Sequence, residues 1–199
     1  MSRAPARVGM FGGAFDPPHR AHVTMAQAAL EQLALDRLVV LPTGSAWHKS
    51  RALTPAAHRL AMARLAFAPL PGVVVDDREL RRAGPTYSID TLRELQAEHP
   101  GAELFLVLGE DQAADFTRWR AWQDVARLAV LCVAARGSGE GVAQLQALPG
   151  VRVVVLRLPR MPESATDIRA RLAAGRDITD LVAPPVASYI ASQHLYEPT

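Results

Sequence analysis

The residues best suited to chemistry stand near the start of the sequence, in the run Gly12-Gly-Ala-Phe-Asp-Pro-Pro-His-Arg-Ala-His22. Consecutive glycines let backbone amides approach an anionic group closely, because no Cβ stands in the way. A helix opening near His22 would aim its positive end at the same place, and the amides of its first turn add donors. His19 and His22 are three residues apart. On a helix that begins near His19 both rings lie on one side of the first turn. Two imidazoles so placed can donate hydrogen bonds to phosphate oxygens or bind a metal; the plainer alternative is that His19 caps a loop and His22 packs. Neither G-x-x-x-x-G-K-[ST] nor G-x-G-x-x-G is present, which argues against P-loop NTPase and dinucleotide dehydrogenase chemistry. Zinc is disfavoured, since cysteines and other clustered ligands are missing nearby.

A second candidate set lies near the other end, in Ser164-Ala-Thr-Asp-Ile-Arg169. Hydroxyls of Ser164 and Thr166 in the first turn of a helix, with its unpaired amides, form an anion site, and Arg169 stands one turn further on. The planar guanidinium suits phosphate oxygens because it makes paired, charge-assisted bonds. The same pattern also fits an ordinary N-cap followed by a solvated arginine.

These groups must be positioned by regular elements, and the pattern alternates strand with helix. Arg7-Val-Gly-Met-Phe11 is a short apolar run that ends in the glycine turn, and Val23, Ala26, Leu30 and Leu33 recur at helical spacing. Leu38-Val-Val-Leu-Pro42 is apolar throughout, as a strand covered on both faces should be. Thr54-Pro55 offers an N-cap and first-turn proline for a helix through Phe67, and Val73-Val-Val-Asp76 is the next strand. Ser88 can cap a helix through Leu92, Leu95 and His99, stopped by Pro100-Gly101. Leu104-Phe-Leu-Val-Leu108 and Leu128-Ala-Val-Leu-Cys-Val-Ala134 are strands separated by a segment holding Phe116, Trp119 and Trp122. A last strand runs from Val151 to Leu156, a helix from Ser164 to Ala174, and a final helix from Pro184-Pro185 to near Leu195. The expectation is a doubly wound α/β fold, a parallel sheet with helices on both faces. Gly137-Ser-Gly-Glu-Gly141 reads as a loop after a strand, so residues 1–199 are expected to form one domain.

Composition narrows the classes. Of 199 residues, 49% are hydrophobic and 21% charged, which excludes a disordered, collagenous or coiled-coil chain. The 22 basic residues against 20 acidic leave a formal charge of +2, too little for a protein that coats nucleic acid. Cys132 is the only cysteine, so no intramolecular disulfide or multi-thiolate metal site can form, and its apolar setting predicts a buried, inert thiol. No apolar run approaches the roughly 20 residues that span a bilayer, and the start lacks an apolar signal core. A soluble cytoplasmic protein without membrane or nucleic-acid partners is expected.

The first motif resembles the signature of the nucleotidyltransferase superfamily that carries H-x-G-H or T-x-G-H. Ala21 stands where that family usually has glycine, which would add a methyl group close to the phosphates. The second motif is similar to the superfamily's I-S-S-T-x-I-R, with Glu163 and Ala165 replacing the usual Ile and second Ser. Within the superfamily, several blocks resemble the bacterial nicotinate mononucleotide adenylyltransferases. Pro42 followed by His48-Lys49 is similar to their P-x-x-x-P-H-K loop, with Ala46-Trp47 where prolines are usual. Asp77-Arg-Glu-Leu-Arg-Arg82 followed by Pro85-Thr-Tyr-Ser-Ile-Asp-Thr-Leu92 resembles D-x-R-E-L and P-[ST]-Y-[ST]-x-x-T-L. Leu108-Gly-Glu-Asp-Gln-Ala-Ala-Asp-Phe-Thr-Arg-Trp119 resembles G-x-D-x-x-x-x-F-x-x-W, and Leu181-Val-Ala-Pro-Pro-Val-Ala-Ser-Tyr-Ile190 also fits.

The resemblance implies a Rossmann-like nucleotidyltransferase fold and transfer of an adenylyl group from ATP to nicotinate mononucleotide, giving deamido-NAD and pyrophosphate. It assigns His19, His22, His48, Lys49 and Arg169 to the triphosphate and transition state, although a lysine such as Lys49 is commonly a solvated charge. Gly12, Gly13, Phe15, Asp111, Ser164 and Thr166 would complete the ATP site, with Asp111 accepting from ribose hydroxyls or else capping a helix. Thr86, Tyr87 and Trp119 would recognise the mononucleotide: an indole can stack on the pyridine ring and Thr86 can reach its carboxylate, whereas Trp119 or Tyr87 could simply pack. Magnesium is expected with ATP, held by phosphate oxygens and water, with no protein metal ligand. The partners implied are these two small molecules, and a homo-oligomer is compatible with the sequence. Other transferases of the superfamily, acting on phosphopantetheine or glycerol phosphate, and a non-catalytic nucleotide sensor are the alternatives.

Overall fold

The fold is seen in a computed structural model whose described residues are 4–44, 52–134, 139–159, 161 and 163–197. In chain order the elements are β1 (Arg7–Gly13), α1 (Arg20–Gln32), β2 (Arg37–Pro42), α2 (Ala56–Phe67), β3 (Val73–Val75), α3 (Arg78–Arg81), α4 (Ser88–Glu98), β4 (Glu103–Gly109), α5 (Glu110–Ala114), α6 (Trp122–Leu128), β5 (Ala129–Ala134), α7 (Glu140–Gln146), β6 (Val153–Leu156), α8 (Ala165–Ala173) and α9 (Pro184–Ser192), with a 3-10 turn at Phe116–Arg118. The six strands form a parallel sheet in the order β3-β2-β1-β4-β5-β6. The winding therefore reverses between β1 and β4, and in such sheets ligands bind in the crevice beyond the carboxyl ends of the strands at that point.

Alternation along each strand splits the core in two. Phe11, Phe105, Val107 and Cys132 face a layer that includes Met25, Met62, Phe67, Ile168 and Ile190 of α1, α2, α8 and α9. Met10, Leu104, Leu106 and Leu131 face Leu92, Leu95, Val125 and Leu145 of α4, α6 and α7. Both faces are covered, which is why β2, β4 and β5 read as unbroken apolar runs. Cys132 lies within the first layer with its thiol pushed up to about 12 by burial, as an inert thiol should be. Among the described residues no helix is long and apolar enough to cross a membrane.

The structure departs from the expected elements in a few places. β1 continues through Gly12 and Gly13, paired with Leu41 and Pro42, so the glycines end the strand instead of following it. Pro55 and Tyr87, not Thr54 and Ser88, occupy the N-cap positions of α2 and α4. The Thr54 N–H is used elsewhere, donating to Asp16. Helix α9 stops at Ser192, short of Leu195. Helix α7 begins within the stretch read as a loop; of that loop, residues 137 and 138 lie outside the described residues. Gly141 lets α7 press on α5, since a Cβ there would meet the Glu110 carbonyl at 2.7 Å and the Ala114 nitrogen at 3.0 Å.

Candidate active site

A cleft of about 600 Å³ opens at the winding reversal, walled by the end of β1, the loop 14–19, the first turn of α1, the start of α5 and the first turn of α8. Gly12, Gly13, Phe15, His19, His22, Asp111, Ser164, Thr166 and Arg169 all line it. Two motifs about 150 residues apart in sequence thus meet across one opening. His48 and Lys49 lie outside the described residues.

His19 is the N-cap of α1 and is 4% exposed. Its backbone N–H donates to His22 Nδ1 at 3.2 Å, and the two rings lie 3.8 Å apart between centroids. An Nδ1 that accepts a hydrogen bond carries no proton, so the His22 ring is the Nε2–H tautomer and presents a donor at its other nitrogen. Phe15 stands edge-on to His22 at 5.1 Å and to Phe11 and Phe67 at 5.4 and 5.5 Å. The Phe15 ring, 1% exposed, is therefore committed to packing that braces His22. Ala21 is fully buried and does not line the cleft, so its methyl group enters the interior; the expectation that it would crowd the phosphates is corrected.

A Cβ on Gly12 would meet no protein atom within 4 Å, so the space it would take belongs to the cleft. Packing within the fold does not demand glycine at that position. Asp111 is exposed in the first turn of α5, whose N-cap is Gly109, so its carboxylate does not cap that helix. Ser164 does cap α8: its hydroxyl accepts from the Asp167 N–H at 3.1 Å and donates to the Asp167 carboxylate at 2.7 Å. The Arg169 guanidinium donates to the Asp16 carbonyl at 2.7 Å and to Thr166 Oγ1 at 3.1 Å, tying α8 to the loop after β1.

Arg59, which the sequence reading passed over, holds the other side of that loop. It is 3% exposed and donates to the carbonyls of Ala14, Thr43 and Thr54 at 3.0, 2.8 and 2.9 Å. The signal was present in the sequence: Arg59, Met62, Ala63 and Ala66 share one helical face, and a charge on an apolar stripe must find buried acceptors.

A second, smaller pocket of about 70 Å³ adjoins the cleft, and Gly12 and Gln112 line both. Thr86, Tyr87 and Trp119 come together here with Glu79, Thr43 and Arg120. Trp119 is half-buried and leans on Phe116 at 5.7 Å, so it both packs and walls the pocket. The Arg120 guanidinium lies 4.6 Å over the Tyr87 ring. Gly44 is fitted against the Glu79 carbonyl and Thr86 Oγ1, with no room for a Cβ. Glu79 itself is 3% exposed and accepts from Thr91 Oγ1 at 2.8 Å. Burial pushes its carboxyl up to about 7, against weaker opposing effects of the Thr91 hydrogen bond and the Arg82 charge. Arg78 anchors the short helix that carries Glu79, bonding Asp76 at 2.6 Å and Glu98 at 2.8 Å.

Among the described residues, no group of three or more His, Cys, Asp or Glu is arranged to hold a metal ion. A donor set of amides, imidazoles, hydroxyls and a guanidinium fits a magnesium that arrives on phosphate oxygens and keeps its waters.

The cytidylyltransferase-like family model matches residues 10–171. The chain is 55% identical to a probable nicotinate-nucleotide adenylyltransferase of Albidiferax ferrireducens, covering 96% of this chain and 98% of the relative. It is 41% identical to one of Methylibium petroleiphilum, covering 100% and 96%. Among solved structures, the Plasmodium falciparum nicotinic acid mononucleotide adenylyltransferase, complexed with APC in one case and with NaAD in another, superposes with a TM-score of 0.78 at 19% identity, covering 96% and 97% of the two chains. At that identity the likeness is one of fold.

Proposed function

The chain belongs to the cytidylyltransferase-like family and, within it, to the nicotinate-nucleotide adenylyltransferases, and from that premise we propose that it transfers the adenylyl group of ATP to nicotinate mononucleotide, releasing pyrophosphate and nicotinate adenine dinucleotide in NAD biosynthesis. The observation that carries this reading is the pair of adjoining pockets: a wide one walled by amides, imidazoles and Arg169, and a narrow one walled by Thr86, Tyr87 and Trp119, joined at Gly12 and Gln112. The phosphate of the mononucleotide meets the α-phosphate of ATP where the two join.

A phosphate oxygen of the mononucleotide attacks the α-phosphorus, the new O–P bond forms, and the bond from that phosphorus to the bridging oxygen breaks, leaving pyrophosphate. A phosphate monoester is nucleophilic near neutral pH, so no side-chain base or covalent intermediate is needed. Catalysis is positioning together with neutralisation of charge on the phosphoryl oxygens. His22 donates from Nε2, since its Nδ1 is taken by the His19 N–H. His19, Arg169 and the amides after Gly12 and Gly13 hold the triphosphate, with His48 and Lys49 added to that set by the motif. Ser164 and Thr166 shape the first turn of α8 beside it, and Phe15 keeps His22 in place. Asp111 accepts from the ribose hydroxyls. Thr86 and nearby amides bond the nicotinate carboxylate, and Trp119 stacks on the pyridine ring with Tyr87 beside it. Magnesium on the phosphates offsets their charge when bound. The reading extends over residues 1–199 as one domain, acting in the cytoplasm on small molecules, with neither membrane nor nucleic acid as partner.

The test is pyrophosphate release from ATP and magnesium with a panel of acceptors: nicotinate mononucleotide, nicotinamide mononucleotide, phosphopantetheine and glycerol phosphate. Turnover with nicotinate mononucleotide is expected. Turnover with phosphopantetheine in its place would overturn the acceptor, and no turnover with any would favour a nucleotide sensor.

A further inference from the structure

The far end of the chain reaches back to the loop that follows β1. The Tyr196 hydroxyl donates to Asp16 Oδ1 at 2.7 Å, a contact spanning 180 residues of sequence. The other carboxylate oxygen of Asp16 accepts from the Thr54 N–H at 3.3 Å, and its main-chain carbonyl accepts from Arg169 at 2.7 Å. One residue, 1% exposed, thus joins the C-terminal segment, the entry to α2 and the guanidinium in the cleft. The backbone is held in the left-handed region on both sides of this contact, at Phe15 with φ 47° and at Tyr196 with φ 67°. Bulky residues seldom adopt that region, and where they do the surroundings over-determine it, often beside a functional site. Burial raises the Tyr196 hydroxyl above its ordinary range, so it remains a donor at any working pH.

We propose that Tyr196 is a positioning residue for the phosphate cleft: its hydroxyl fixes the Asp16 carboxylate, and the Asp16 main chain in turn sets the Arg169 guanidinium. The inference rests on the reading of the cleft as the ATP site. Arg169 carries five N–H donors in a rigid fork, so bonds to Asp16 and Thr166 on two edges determine where the whole plane points. A tilt of that plane weakens a bidentate grip on phosphate more than it weakens the fold.

The experiment is a double-mutant cycle on the full chain, reading the dissociation constant for ATP with magnesium by calorimetry and omitting any acceptor. Tyr196→Phe removes only the hydroxyl, with its bonds to Asp16 and Thr54, and is expected to weaken ATP about fivefold. In an Arg169→Ala background the same change is expected to weaken it less than twofold, because the group through which Tyr196 acts is gone. An equal loss in both backgrounds, or none in the parent, would overturn the proposal. Asp16→Asn, which leaves a single acceptor oxygen where Thr54 and Tyr196 each donate to one of two, runs through the same cycle if Tyr196→Phe does not fold, and additive effects there overturn it too. A parent protein that binds no ATP would remove the reading of the cleft and this proposal with it, whereas normal ATP binding with additive effects would remove the proposal alone.

Discussion

The two pockets that meet at Gly12 and Gln112 are built on opposite plans. The wide cleft takes its walls from three stretches far apart in sequence, residues 11–25, 109–112 and 164–169, and its loop is held by Arg59, Thr54 and Arg169. The narrow pocket takes most of its wall from two short stretches, residues 79–88 and 106–120, set over a buried carboxyl. An open cleft can receive a mobile, highly charged chain of phosphates but must import its rigidity, while a pocket for one flat ring can be preformed by local packing. Loss of a cleft group should therefore slow the chemistry, and loss of a pocket group should weaken the acceptor or shift stability.

The largest expected effect is at His22. His22→Ala removes a donor preorganised by the His19 N–H and by Phe15, and kcat should fall by about 10² or more with a smaller change in ATP binding. Steady-state kinetics with ATP binding measured alongside checks it, and an unchanged kcat would break the division between the pockets.

Next comes Glu79. Its carboxyl is raised by burial from 4.5 to about 7, so the folded state prefers the neutral acid. Its contribution to stability is complete below about pH 4.5 and is lost as pH rises through 7. Glu79→Gln keeps an acceptor for Thr91 and does not titrate. Against the parent it should gain stability between pH 5 and pH 8, by of order 2–3 kcal/mol. Urea denaturation at the two pH values reads the difference; one that does not vary with pH would mean that Glu79 is not the strained wall of the pocket.

Trp119 gives the smallest shift and the sharpest division. Trp119→Ala should raise KM for the mononucleotide about tenfold and leave KM for ATP within about twofold. Equal changes in both would make Trp119 a support for Phe116 and nothing more.

The fold was legible because its strands are buried on both faces, so β2, β4 and β5 announce themselves as unbroken apolar runs. Helix α7 was not, since Glu140–Gln146 follows a glycine-rich stretch and owes its place to Gly141 packing on α5, a tertiary contact. The glycine and histidine motif was legible as local chemistry, whereas its link to Tyr196 depends on a contact across 180 residues. Glu79 could be read only as part of a motif; that it would be buried beneath α4 against Thr91 depends on how α3 docks. The methyl of Ala21 was expected near the phosphates because of its place in the motif, whereas α1 turns that position into the interior.

The most direct test of the account is the fate of label from ATP carrying phosphorus-32 at either the α or the γ position, incubated with the protein, magnesium and nicotinate mononucleotide. Attack at the α-phosphorus predicts that α label appears in the dinucleotide and γ label in pyrophosphate. Transfer of γ label to the acceptor, with ADP as the other product, would contradict it.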